Sequence, residues 1–110
     1  MKIYLAAPYT HKNQKVIEAR VKEINHIAST LLLMDHIVYS PISMFHSIAK
    51  ENSLPITEDF YREQNEEFIK WCEAIILLQL PGWEKSIGFK KEIALAKKYK
   101  KLIIYYKRKK

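Results

Sequence analysis

The chain has 110 residues, 48% hydrophobic and 28% charged, with a formal net charge of +7. That is enough for one domain around a single core, with a composition ordinary for a globular protein rather than a disordered one. A lone cysteine, Cys72, excludes an internal disulfide and a cysteine-based metal centre, and no apolar run reaches the roughly 18 residues of a membrane span.

Lys2 to Ala6 is a short apolar run that reads as a first strand, buried on both faces. Pro8 breaks the chain into a loop, Ala7 to His11, and leaves the N-terminal run too short for a signal peptide. From Asn13 to Met34 apolar residues recur at helical spacing, at Val16, Ala19, Ile24, Ile27, Ala28, Leu31 and Leu32, with Asn13 as the cap. Ile37 to Ser40 is β-branched and aromatic, a second strand stopped by Pro41. A short helix is expected around Met44 to Lys50. Thr57, followed by two acids, should cap a further helix that runs to about Trp71.

Glu73 to Leu80 is the third and most apolar strand, and Pro81 to Trp83 a turn. Ser86 caps the next helix, which reaches about Tyr99, and Leu102 to Tyr106 is a fourth strand. Strands alternating with helices predict βαβ units: a small α/β three-layer sandwich with a four- or five-stranded parallel sheet, flavodoxin- or Rossmann-like. One domain is expected over residues 1–106, with a basic tail at 107–110 read as a solvated end. A reducing cytoplasm is the expected setting, since cysteine is nearly absent.

In such a fold all strand-to-helix loops leave one edge of the sheet, where open α/β sheets take their ligands. The candidate site residues therefore lie at Ala7 to His11, Pro41 to His46 and Pro81 to Gly88, with the helix Thr57 to Trp71 beside them. No Gly-x-Gly-x-x-Gly follows the first strand and no Walker-type lysine is present, so the common dinucleotide and triphosphate cradles are absent. Ala6 and Ala7 permit close backbone approach. Ser86-Ile87-Gly88 offers N–H groups, a hydroxyl and a position without a side chain: either a nest for a phosphate or sugar hydroxyl, or a plain cap. His46 follows the second strand, within reach of a ligand or simply at the surface. No histidine pair has the spacing of a helical metal site, so neither metal nor cofactor is expected. Tyr9 and Trp83 are loop aromatics open to two roles, stacking on a planar base or capping the core.

Glu92 stands apart. It lies about one and a half turns inside a helix that follows the most apolar strand. The positive helix end favours an ionised acid there. Phe89, Ile93 and Ala96 mark the buried face, so Glu92 borders the core side.

Three segments stand in order along the chain: Met1-Lys2-Ile3-Tyr4-Leu5-Ala6-Ala7-Pro8-Tyr9-Thr10, Val38-Tyr39-Ser40-Pro41-Ile42-Ser43 with His46, and Pro81-Gly82-Trp83-Glu84-Lys85-Ser86-Ile87-Gly88 with Glu92. Together they resemble the nucleoside 2-deoxyribosyltransferase-like superfamily, which also holds deoxynucleoside 5′-monophosphate N-glycosidases. The resemblance implies that Glu92 is a nucleophile on the anomeric carbon of a ribosyl or 2-deoxyribosyl group, with Ser86 and Gly88 holding its 5′ hydroxyl or phosphate. It further implies substrate contacts from Ala7, Pro8, Tyr9, His46 and Trp83. Where relatives carry a catalytic aspartate in the helix before the third strand, this chain has Asn65, which cannot act as an acid. A second acidic position corresponds to Glu73, and Glu66 is a possible substitute.

The expected function is cleavage or exchange of the N-glycosidic bond of a nucleoside or its 5′-monophosphate. The alternative is a nucleotide-binding module with weak or no turnover. A homo-oligomer is expected from the apolar surplus of the long helix and from relatives that complete their sites across subunits. A membrane partner is not expected. A nucleic-acid partner ranks lowest, because the basic end lacks interleaved aromatics beyond Tyr105 and Tyr106.

Overall fold

The computed structural model describes residues 1–55 and 57–107, without the side chain of Glu58. It has four strands, β1 (Lys2–Ala6), β2 (Ile37–Tyr39), β3 (Ala74–Leu78) and β4 (Leu102–Tyr106), and four α-helices, α1 (Gln14–Leu33), α2 (Pro41–Asn52), α3 (Glu58–Trp71) and α4 (Ile87–Lys98). The strands form one all-parallel sheet in the order β2-β1-β3-β4. This is the expected three-layer α/β sandwich, with four strands among the described residues.

Each face of the sheet is apolar because β1 and β3 are buried on both sides. Ile3 and Leu5, with Ile76 and Leu78, point to the face covered by α1, where Ile24, Ile27 and Ala28 pack on them. Tyr4 and Ala6, with Ile75 and Leu77, point to the other face, against Ile69 of α3 and Phe89 and Ala96 of α4. The three to four residue spacing of Ile17, Val21, Ile24 and Ala28 makes one stripe along α1, and all four are buried. Cys72 is buried at the foot of α3, and its Sγ donates to the Ile69 carbonyl at 3.1 Å.

Several boundaries differ from expectation, each for a local reason. α2 begins at Pro41, not near Met44. Proline fixes its φ at a helical value and lacks an N–H that the first turn could not use, so it starts the helix rather than merely stopping β2. Thr57 stands at the start of α3, but its side chain makes no capping bond. β3 starts at Ala74 and ends at Leu78, where the Leu80 N–H bonds back to the Leu78 carbonyl. The turn at Pro81–Gly82 continues into a short 3-10 helix, Trp83–Lys85. Arg108 to Lys110 of the basic tail lie outside the described residues. No helix among the described residues is long and apolar enough to cross a membrane.

The topology fixes where a crevice must open. β1 runs to β2 through α1 on one face, and β3 runs to β4 through α4 on the opposite face. The chain therefore diverges between the adjacent C-terminal ends of β1 and β3, the switch point of a doubly wound sheet.

Candidate functional site

A cavity of about 1280 Å³ lies at that point. It exceeds the roughly 300–1,000 Å³ usual for a small-molecule pocket, as an open cleft does. Its wall is drawn from every loop at the C-terminal edge. Ala7 and Tyr9 come from the loop after β1, Pro41 and His46 from α2, Asn65 from α3, and Ser86, Gly88 and Glu92 from the start of α4. Seven of the nine site residues expected from the sequence are thus brought together: Glu92, Asn65, Ala7, Tyr9, His46, Ser86 and Gly88. Pro8 and Trp83 are not. Pro8 is fully buried behind the wall. Trp83 is half-buried and packs on the core beside Phe89, ring centroids 6.0 Å apart, so of its two open roles the structure gives it the capping one.

Glu92 sits on the flank of the buried stripe of α4, about 60° around the helix from Phe89. It is half-buried and lines the cavity. The hydroxyl of Tyr4 donates to its Oε2 at 2.5 Å. Tyr4 is fully buried on β1, and burial first, then the neighbouring Glu92 charge, pushes its pKa well above the ordinary value. It therefore stays a neutral donor and fixes the carboxylate in one orientation.

Asn65 accepts a hydrogen bond at Oδ1 from the Tyr39 hydroxyl, 3.2 Å, which leaves its amide N–H groups for a ligand. Tyr39 is stacked on Phe68, centroids 3.8 Å apart and rings nearly parallel, and lies tilted against Tyr4 at 5.4 Å. These rings belong to the core behind both polar residues. Glu66 also lines the cavity, but its Oε2 accepts from the Tyr99 hydroxyl at 2.5 Å. That bond, foremost, holds its carboxyl below the usual range, so at neutral pH it is ionised. Glu73 lies elsewhere. Its Oε1 accepts from the Lys2 N–H at 2.8 Å, at the N-terminal edge of the sheet and remote from the crevice.

The other wall is a chain of three side chains. The Tyr9 hydroxyl and His46 Nδ1 are 2.7 Å apart, and His46 Nε2 is 3.2 Å from both carboxylate oxygens of Glu18 on α1. Glu18 also accepts from Lys50 and Gln14; these two contacts, then His46, keep it below the usual carboxylate range. Ser86 accepts at Oγ from the Phe89 N–H at 3.3 Å, so it caps α4 and lines the cavity at once.

Three contributors have no signature in the sequence. Tyr4 reads as one more apolar strand residue. Glu18 reads as a solvated helix face. Arg20 lies on α1, and its guanidinium donates to the carbonyls of Tyr9, Thr10 and Pro81, at 3.4, 3.0 and 2.9 Å. It ties together the two loops that diverge at the switch point. Gly82, at φ +90°, makes room for it, since a Cβ there would stand 2.8 Å from Arg20 Nη2. Among the described residues no three His, Cys, Asp or Glu side chains converge as a metal site needs.

Fold and site together define a doubly wound α/β protein with a carboxylate-bearing crevice at its switch point. The family model "Domain of unknown function (DUF1937)" matches residues 1–108, and the chain belongs to that family. Comparison with curated proteins finds no match.

Proposed function

We propose that the protein cleaves or exchanges the N-glycosidic bond of a nucleoside or nucleoside 5′-monophosphate, with Glu92 as nucleophile. The observation that carries this reading is the Tyr4–Glu92 pair on the wall of a cavity at the switch point. A carboxylate held in place can attack an anomeric carbon, splitting one hard substitution into two easier ones through a glycosyl-enzyme. The transition state has oxocarbenium character, and a fixed anion beside it lowers its energy. The second displacement, by water or another base, frees the sugar. The three segments that resemble the deoxyribosyltransferase-like superfamily support the same assignment.

The rest of the wall suits such a substrate. Ala7 permits close backbone approach, and Ser86 and Gly88 open α4 beside Lys85, a place for a 5′ hydroxyl or phosphate. Asn65 has amide donors for a sugar or base. The net charge of +7 favours anionic ligands.

One observation favours a second reading, a nucleotide-binding module without turnover: Asn65 has no proton to give, and Glu66 is engaged with Tyr99. One experiment separates the two. Purified protein is incubated with deoxynucleosides and their 5′-monophosphates, and free base is followed chromatographically. The expected result is base release that Glu92→Gln lowers by on the order of a thousandfold or more. Tight calorimetric binding with no base released supports the binding module. No binding at all rejects both.

The reading includes a homo-oligomer. Its support is the apolar exposure of β4, where Leu102, Ile104 and Tyr106 share a face that α1 does not cover.

A further inference from the structure

A nucleobase leaves a sugar readily only if one of its nitrogens is protonated as the bond breaks. This is the step for which Asn65 is the wrong residue. Two tyrosines line the cavity among the described residues, Tyr9 and Tyr61. Tyr61 donates to the Pro55 carbonyl, whereas Tyr9 is bonded to His46, a group that can gain and lose a proton. Tyr4 and Tyr39 lie behind the wall, donating to Glu92 and Asn65. Of the acids on the wall, Glu66 is ionised and bonded to Tyr99, and Asp59 lies 3.5 Å from the Lys91 ammonium. His11 also lines the cavity, but it is exposed and its Nδ1 accepts from the Asn13 N–H.

We infer that Tyr9 is the general acid of the proposed reaction, recharged through His46 and positioned by Glu18. The inference rests on the glycosidic reading of the site.

The geometry gives the relay two states. When His46 is neutral, Glu18 accepts from Nε2–H, so Nδ1 must accept and the Tyr9 hydroxyl points at it. When His46 is an imidazolium, both ring nitrogens donate. Nε2–H still bonds to Glu18, while Nδ1–H bonds to the Tyr9 oxygen, and the phenolic hydrogen turns toward the cavity. In the first displacement Glu92 bonds to the anomeric carbon, and the electron pair of the glycosidic bond goes to the base. The base nitrogen takes the Tyr9 proton, and the Tyr9 oxygen takes the Nδ1 proton, leaving neutral His46. In the second displacement water attacks the same carbon and the bond to Glu92 breaks. The water proton goes to Tyr9, whose own proton returns to His46. The cycle consumes one water and restores every side chain.

The surroundings fit both states. Glu18, kept ionised chiefly by Lys50 and Gln14, faces His46 from α1, Lys50 stands beyond it on α2, and Tyr61 faces Tyr9 from α3. Burial, first, keeps the Tyr9 phenol above its ordinary pKa, so it passes a proton without resting as a phenolate. Arg20 holds the Tyr9 carbonyl and fixes the loop.

The test compares two leaving groups. A deoxynucleoside needs its base protonated, whereas a nitrophenyl 2-deoxyriboside releases a stable anion that does not. Tyr9→Phe and His46→Gln are expected to lower kcat on the nucleoside by about a hundredfold or more, with a loss on the nitrophenyl substrate at least tenfold smaller. Glu92→Gln should lower both alike. Glu18→Gln, which leaves Tyr9 and His46 in place, should show the same split between the two substrates to a smaller degree. Thermal melts of each variant establish that it is folded, and Glu18→Gln, which alters one exposed carboxylate, gives an independent reading. Equal losses on both substrates overturn the relay and leave the nucleophile standing. No turnover of either substrate by the wild type overturns both.

Discussion

Tyr39 links the core behind the crevice to the stability of the protein. Its ring is stacked on Phe68 and its hydroxyl is bonded to Asn65, and burial foremost pushes its pKa up from 10.0 to about 12. A phenol whose pKa is raised by folding contributes stability that is complete below the unfolded value and is lost as pH rises through the folded one. Melting temperatures of wild type and Tyr39→Phe, followed upward from pH 9, should therefore converge between pH 10 and about 12. Tyr4, raised first by burial and then by Glu92, is present in both proteins. A gap that stays constant across this range would show that Tyr39 ionises as easily folded as unfolded.

Two helices of the site carry side-chain caps, and the caps separate structure from function. Asn13 accepts the Lys15 N–H at the start of α1, and Ser86 accepts the Phe89 N–H at the start of α4. Replacing either by alanine should cost about 1 kcal/mol in a urea titration, or several degrees of melting temperature in a domain this size. Only Ser86 lines the cavity. Ser86→Ala should therefore also weaken calorimetric binding of a deoxynucleoside 5′-monophosphate, while Asn13→Ala should not. Equal effects on binding would reduce Ser86 to a cap.

Both caps, and β4 with its bounds, are legible in the sequence because their signals are local: a short polar residue before an apolar period, or a run of β-branched and aromatic residues. α2 is less legible, since Pro41 carries the same signature as a strand stop and a helix start. The convergence of Glu92, Asn65, His46 and Tyr9 follows from topology alone, because parallel strands send their following loops to one edge. What topology does not reveal is which way a side chain turns at a given register. Glu73 looks as acidic as Glu92 and sits at the wrong edge. Trp83 turns to Phe89. Tyr4, Glu18 and Arg20 act through contacts to residues distant in the chain, and such contacts exist only once the sheet has assembled.

At the scale of the molecule the outstanding feature is an incomplete layer. α1 packs over β1 and β3, and nothing among the described residues covers Leu102, Ile104 and Tyr106 beside it; they are 54%, 37% and 40% exposed. β4 is also an edge strand, with a free row of backbone groups. Lys101 and Lys107 flank it, and like charges oppose a second copy, so association should strengthen as salt screens them. In sedimentation the wild type should run larger than 13.1 kDa, and Ile104→Lys should run as a monomer. A wild type that stays monomeric at every salt concentration would remove the oligomer.

The place of β1 has a consequence for biosynthesis. It precedes the other strands in the chain yet ends in the middle of the sheet, between β2 and β3. Parallel neighbours cannot form a hairpin, so every ladder waits on a crossover, and chains ruled by such distant pairings fold slowly. While residues 74–78 are still being translated, Ile3 and Leu5 have only the short β2 beside them. A nascent chain at that length leaves Ile3 and Leu5 without the β3 neighbours that pack beside them in the finished sheet. A fragment that stops short of β3 is therefore not a smaller version of this fold but a sticky intermediate on the way to it.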